Sequence, residues 1–133
     1  MIAVAIGHEI SAPLQDYLET ILALSSKRGT ARVTDIANRL SNAKASVTEA
    51  LTTLETQGLV EKQRYGPVRL TDEGLRQARR IQDLHDALRR LLTDILGVDD
   101  ETAEADACAM EHVLSDETMK CLVGFVDRWP GSH

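Results

Sequence analysis

Apolar residues along this chain fall into stretches of helical period separated by short polar breaks. Leu14, Tyr17, Leu18, Ile21, Leu22 and Leu24 recur at spacings of three and four, which predicts a first helix over about residues 13–27. Pro13 suits its first turn, and Lys27, Arg28 and Gly29 form a basic stop closed by glycine. Residues 33–40 predict a short second helix, with Ile36, Ala37 and Leu40 inward and Thr34 as its cap. After the turn Ser41-Asn42-Ala43, residues 44–57 predict a third helix ended by Gly58. Val47, Leu51 and Leu54 line one side of it; Lys44, Ser46, Thr48, Glu49 and Thr52 line the other. From Leu59 to Thr71 the alternation shortens to two residues on either side of Tyr65-Gly66-Pro67, as in a β-hairpin. A longer helix follows over residues 71–96, with Leu75, Ala78, Ile81, Leu84, Leu88, Leu91 and Leu92 as its stripe, Thr71 as cap and Gly97 as stop. Residues 99–114 and 115–128 predict two further helices with acidic first turns, the second capped by Ser115.

Two helices joined by a tight turn, the second presenting short polar side chains and leading straight into a hairpin, make a winged helix-turn-helix. The expected fold is therefore mostly α: a winged helix-turn-helix with a small hairpin wing over residues 1–71, then an all-α segment over residues 72–133, with no SH3-like domain. Lys44, Ser46, Thr48, Glu49 and Thr52 are candidate DNA contacts on the recognition helix, with Arg64 and Arg69 on the wing and Arg32 before the second helix. Ser46 and Thr48 suit base edges or phosphate, and Lys44 and Arg64 suit phosphate. The plainer reading makes all of them ordinary solvent-facing residues.

Composition narrows the classes. Hydrophobic residues are 43% and charged residues 27%, which fits a folded domain, while aromatics at 3% leave the core to aliphatic side chains. No apolar run approaches the roughly 18 residues of a membrane span, and residues 1–12 lack the basic start and long apolar centre of a signal peptide. A cytoplasmic protein is expected. The net charge of −6 looks wrong for a DNA binder until it is divided: residues 1–70 carry +1 and residues 71–133 carry −7. The first half can approach phosphates; the second has the composition of a cation site.

The second half also holds the candidate chemistry. Cys108, Glu111 and His112 stand at i, i+3 and i+4, so a helix turns all three to one side. A thiolate, a carboxylate and an imidazole together make half a shell for a divalent transition metal. Asp16 and Glu19 share a face of the first helix, and His85 lies on the polar side of the long one. Singly, each has a plainer reading: Cys108 as a small buried hydrophobe, Asp16 and Glu19 as a solvated pair balancing the helix dipole, His85 as a surface histidine. Spacing alone does not bring three helices together. Cys121 has no such company and reads as a packed thiol.

Over residues 13–128 the chain resembles the diphtheria-toxin-repressor and manganese-transport-regulator family of bacterial metal-dependent repressors. The resemblance is carried by Asp16-Tyr17-Leu18-Glu19, Ala31-Arg32-Val33-Thr34-Asp35-Ile36-Ala37, Leu70-Thr71-Asp72-Glu73-Gly74, His85 and, most specifically, Cys108-Ala109-Met110-Glu111-His112-Val113-Leu114-Ser115. It implies that Asp16, Glu19, His85, Cys108, Glu111 and His112 converge on a metal between the winged helix and the dimerisation helices. The set is a hybrid. Cys108 follows the iron branch, where the manganese branch usually has a carboxylate. Asp16 with Glu19 follows the manganese branch, where the iron branch has methionine at the first position. Arg89 and Glu104 replace an acid and a histidine of the iron branch's second site. A thiolate disfavours manganese, whereas carboxylates and imidazoles suit manganese or iron(II). Iron(II) satisfies both, with manganese(II) as the alternative and one or two ions per subunit. The expected function is a metal-activated repressor acting as a homodimer on double-stranded operator DNA. A winged helix triggered by a non-metal effector is the second reading. An enzyme is not expected, since neither a glycine-rich phosphate loop nor a nucleophile motif is present.

Overall fold

The computed structural model describes residues 10–63 and 66–130. The chain divides into two compact units, the first covering residues 10–79 and the second taking up the chain from residue 80.

The first unit packs three helices against a two-stranded hairpin: α1 (Ala12–Leu24), α2 (Val33–Leu40), α3 (Lys44–Thr56), β1 (Val60–Lys62) and β2 (Val68–Leu70). Leu18 and Ile21 of α1, Ile36 of α2, and Val47, Leu51 and Leu54 of α3 are completely buried, and Val60 and Val68 close the core from the hairpin. Burying an aliphatic side chain of this size contributes about 1.5–3 kcal/mol, so the inward stripe of each short helix does what its modest length cannot. Asn42, in the turn between α2 and α3, donates to the Tyr17 hydroxyl at 2.9 Å and ties that turn to α1.

The strands are antiparallel, pairing Val60 with Leu70, Glu61 with Arg69 and Lys62 with Val68. The loop before α2 joins them: Ala31 and Val68 exchange backbone hydrogen bonds of 2.9 and 2.7 Å. This pairing keeps the chain extended through Ala31 and Arg32, so α2 begins at Val33 with Arg32 as its cap residue and no side-chain acceptor over its first turn. Thr34, expected to cap the helix, lies inside it.

A clasp joins the recognition helix, the hairpin and the long helix α4 (Asp72–Arg90). Gly58, at φ +78°, turns the chain out of α3 in a conformation that a side chain would resist. The Thr71 hydroxyl donates to the Gly58 carbonyl at 2.7 Å and accepts the Gly74 N–H at 3.0 Å, capping α4 as its sequence predicts. A Cβ on Gly74 would lie 1.9 Å from the Leu59 carbonyl oxygen, so glycine alone fits there.

The second unit holds the end of α4, a π-helical turn over Leu91–Ile95, α5 (Asp100–Met110) and α6 (Asp116–Arg128). The wide turn shows in the Leu96 N–H reaching back to Leu91 and the Val98 N–H to Leu92. Leu88 and Leu92 pack on the fully buried Ala103 and Ala107, with Val98, Met110, Leu114 and Leu122 around them. The two alanines let α5 approach closely. Asp99 and Ser115 side chains accept the Thr102 and Thr118 N–H groups and cap α5 and α6. Cys121 is exposed, not packed as its sequence context suggests. The rings of Phe125 and Trp129 pack at a tilt, their centroids 5.6 Å apart, and both stay solvent-accessible. Among the described residues no helix is long and apolar enough to cross a membrane.

Candidate metal centre and nucleic-acid interface

His85, one turn before the end of α4, faces residues of α5 and of the turn behind it. Its Nδ1 lies 2.7 Å from Glu111 Oε1 and 3.8 Å from the Cys108 sulfur. Its Nε2 lies 2.9 Å from Glu104 Oε2. On the far side of the same carboxylate, His112 Nε2 stands 3.6 Å from Glu111 Oε2. The Glu111 side chain is 1% exposed. A buried carboxylate is costly unless it is paired, and here two imidazoles face its two oxygens. α5 ends at Met110 with Glu111 as its cap residue, so His112 reaches the cluster from a turn and not from the continuing helix that its spacing predicts.

The donor chemistry fits a divalent transition metal. Metal–sulfur and metal–nitrogen bonds of about 2.0–2.3 Å put donors that share one ion roughly 3–4 Å apart; Cys108 at 3.8 Å from His85 Nδ1 has that spacing, while Glu111 at 2.7 Å stands at hydrogen-bond distance. The ligand atoms of His85, Glu104 and Cys108 also lie within 4.8 Å of one another. The second unit thus brings together four of the six expected ligands: His85, Cys108, Glu111 and His112. Asp16 and Glu19 belong to the first unit, one turn apart on α1, Asp16 exposed and Glu19 half-buried. Glu104 is the contact that the sequence reading left out of the ligand cluster. Its signal was available, for residues 104, 108 and 111 follow one helix face at steps of four and three.

In the first unit, Lys44, Ser46, Thr48, Glu49 and Thr52 are all exposed on α3. Thr52 bonds back to the Thr48 carbonyl at 3.0 Å and receives the Lys62 ammonium at 3.4 Å. Arg69 is already engaged. Its guanidinium meets Glu61 across the strands at 2.6 Å, and that hydrogen bond and charge raise its pKa further above the usual arginine value. Arg64 falls outside the described residues. Arg32 lines an open cleft of about 350 Å³ at the start of α2, together with Lys27, Arg28 and Asp35. Sequence alone marks Lys27 and Arg28 only as a helix stop, because the cleft depends on how the loop returns to the hairpin.

Two family models divide the chain between them. Residues 9–68 match the iron-dependent repressor N-terminal DNA-binding domain, and residues 71–129 match the iron-dependent repressor metal-binding and dimerisation domain. A transcriptional regulator MntR of Escherichia coli is 38% identical over 106 residues, covering 80% of this chain and 68% of its own length. The chain belongs to the DtxR/MntR family.

This is a family of metal-dependent transcriptional repressors, not enzymes. An uncharacterised helix-turn-helix regulator of Methanocaldococcus jannaschii is 32% identical over 121 residues, 90% of this chain and 97% of that one. Among solved structures, a manganese-dependent transcriptional repressor in complex with manganese superposes with a TM-score of 0.75 at 29% identity, over 84% of this chain and 53% of its own. The chain spans about half the length of that repressor and of the Corynebacterium diphtheria toxin repressors. The mostly helical architecture with a hairpin wing is the family's.

Proposed function

We propose that this DtxR/MntR-family chain is a cytoplasmic, iron(II)-activated repressor that binds operator DNA as a homodimer and controls metal-ion homeostasis. The observation that carries the metal reading is the arrangement around His85 and Glu111: a thiol and a buried carboxylate within 4 Å of His85 Nδ1, and a second imidazole 3.6 Å from that carboxylate's other oxygen. The full ligand set proposed is Asp16, Glu19, His85, Cys108, Glu111 and His112. Asp16 and Glu19 supply the two carboxylates that the second unit's own cluster lacks for a hard, six-coordinate ion. Cys108 tilts the choice toward iron(II), because thiolate is a poor partner for manganese; manganese(II) is the second reading, favoured by the carboxylates.

Such a set draws donors from both units. Metal binding then selects one arrangement of the DNA reader relative to the dimer, and the two recognition helices α3 meet half-sites about one helical turn apart, or a multiple. The α3 residues Lys44, Ser46, Thr48, Glu49 and Thr52 are proposed to read and grip the duplex, with Arg32, Arg64 and Arg69 on the flanks. Moving a two-state equilibrium from mostly inactive to mostly active takes about 5.5 kcal/mol of differential affinity, within reach of several metal–ligand bonds.

Titrating operator binding with iron(II) under anaerobic conditions and with manganese(II) tests this. Binding is expected to appear with metal and vanish with chelator, at lower concentrations of iron(II) than of manganese(II). Cys108→Glu is expected to reverse that order. Operator affinity indifferent to chelator would end the metal-activated reading and leave a winged helix with another trigger.

A further inference from the structure

We propose that Glu104 is a positioning residue that fixes which nitrogen of His85 holds the metal. The inference rests on the metal reading above. The two ring nitrogens of His85 face different carboxylates, and the Cys108 sulfur, 3.8 Å from Nδ1, lies 3.8 Å from Glu104 Oε2 as well. Nδ1 faces Glu111 at 2.7 Å and Cys108 at 3.8 Å, both of them proposed ligands. Nε2 faces Glu104 at 2.9 Å. The nitrogens of an imidazole point to different sides of the ring, so one ion takes one of them, and Nδ1 is the nitrogen on which the other donors converge.

That leaves the Nε2 proton to Glu104, which accepts it and holds the ring as the tautomer with a free Nδ1 lone pair. A metal-bound histidine whose second nitrogen donates to a carboxylate is oriented by that bond and becomes a more basic ligand. Glu104 is held in turn. The Arg89 guanidinium, one turn beyond His85 on α4, lies 3.8 Å from Glu104 Oε1, the oxygen that His85 does not use. Arg89 and Glu104 are both about half exposed, at 43% and 54%, and lead to a ring that is 12% exposed. Arg89 is a cation where a second metal ion would have to neutralise Glu104, so this carboxylate serves the histidine and not an ion of its own.

Cobalt(II) binding to the full chain, in the wild type and in the Glu104→Ala and Glu104→Gln variants, tests the assignment. Wild type is expected to bind cobalt(II) with a thiolate charge-transfer band from Cys108. Glu104→Ala is expected to lower the affinity about 10–100-fold, with the number of cobalt donors counted by X-ray absorption unchanged. Glu104→Gln is expected to regain most of the loss, since its amide oxygen still accepts from Nε2. Nitrogen-15 spectra of the zinc-loaded forms are expected to show His85 protonated at Nε2 in wild type and in Glu104→Gln. Loss of an oxygen donor in Glu104→Ala would overturn the proposal by making Glu104 a ligand. Unchanged affinity in Glu104→Ala, or glutamine as damaging as alanine, would also overturn it. A wild type that takes up no cobalt(II) would overturn the metal reading itself, whereas wild-type binding that Glu104 variants leave untouched would overturn only the role given to Glu104.

Discussion

The two units of this chain treat their polar groups in opposite ways. In the winged helix, both helices of the helix-turn-helix start bare: neither Arg32 before α2 nor Ala43 before α3 places a side-chain acceptor over the first turn. The cations at the start of α2, Lys27, Arg28 and Arg32, form no ion pair among the described residues. In the second unit, Asp99 and Ser115 cap α5 and α6 with their side chains, and its central polar groups close on each other, Arg89 to Glu104 to His85 to Glu111 to His112. Unsatisfied N–H groups and unpaired cations suit a polyanion arriving from outside. Carboxylates gathered around imidazoles, in a half that carries −7, suit a small cation held within.

The contrast can be broken most severely at the clasp. Gly74→Ala forces a Cβ onto the Leu59 carbonyl, and overpacking of this kind costs about 1–3 kcal/mol, with a rigid backbone neighbour placing it at the upper end. Hydrogen exchange is expected to accelerate through α1, α2 and α3 while α5 and α6 keep their protection. Equal loss in both units would mean that they do not fold as separate bodies.

A milder change sharpens the view of the winged helix as an open cationic reader. Replacing Lys27, Arg28 and Arg32 together with alanine is expected to flatten the dependence of DNA affinity on salt, by up to roughly 0.9 in the log–log slope for each phosphate contact removed. Operator and mixed-sequence duplexes are expected to weaken alike. An unchanged slope would show that the cleft meets no backbone.

The smallest effect concerns the capped unit. The Thr102 N–H holds the Asp99 carboxylate below its ordinary pKa. A depressed acid contributes stability above its unfolded pKa and loses it as pH falls through the folded one. Asp99→Ala is therefore expected to lower the melting temperature slightly at neutral pH, with the gap from wild type closing as pH drops below the carboxylate range. A gap that persists in acid would assign the effect to lost packing.

Much of this was legible in order along the chain. The stripes Val47–Leu51–Leu54 and Leu88–Leu92, the stop at Gly58, and the caps Thr71 and Ser115 are local signals, and the fold uses them as they stand. What escaped is non-local. Thr34 is a good capping residue, yet pairing of Ala31 with Val68, thirty-seven positions away, decides where α2 begins. The π-helical turn at Leu91–Ile95 hides in an unbroken leucine pattern, because a wider turn still presents leucines inward. Glu104 could be placed beside Cys108 by helix spacing, but its contact with His85 depends on how α5 packs on α4. The side-chain types in the cluster were readable, and which nitrogen each carboxylate faces was not.

The bridge from Ala31 to the hairpin has one more consequence. It pins the wing to the loop that leads into α2, while Thr71 pins the other end of the hairpin to the exit of α3. A reading head fastened at both ends moves as one piece. On the mechanism proposed above, a bound metal re-aims that head and leaves the lettering it recognises as it was.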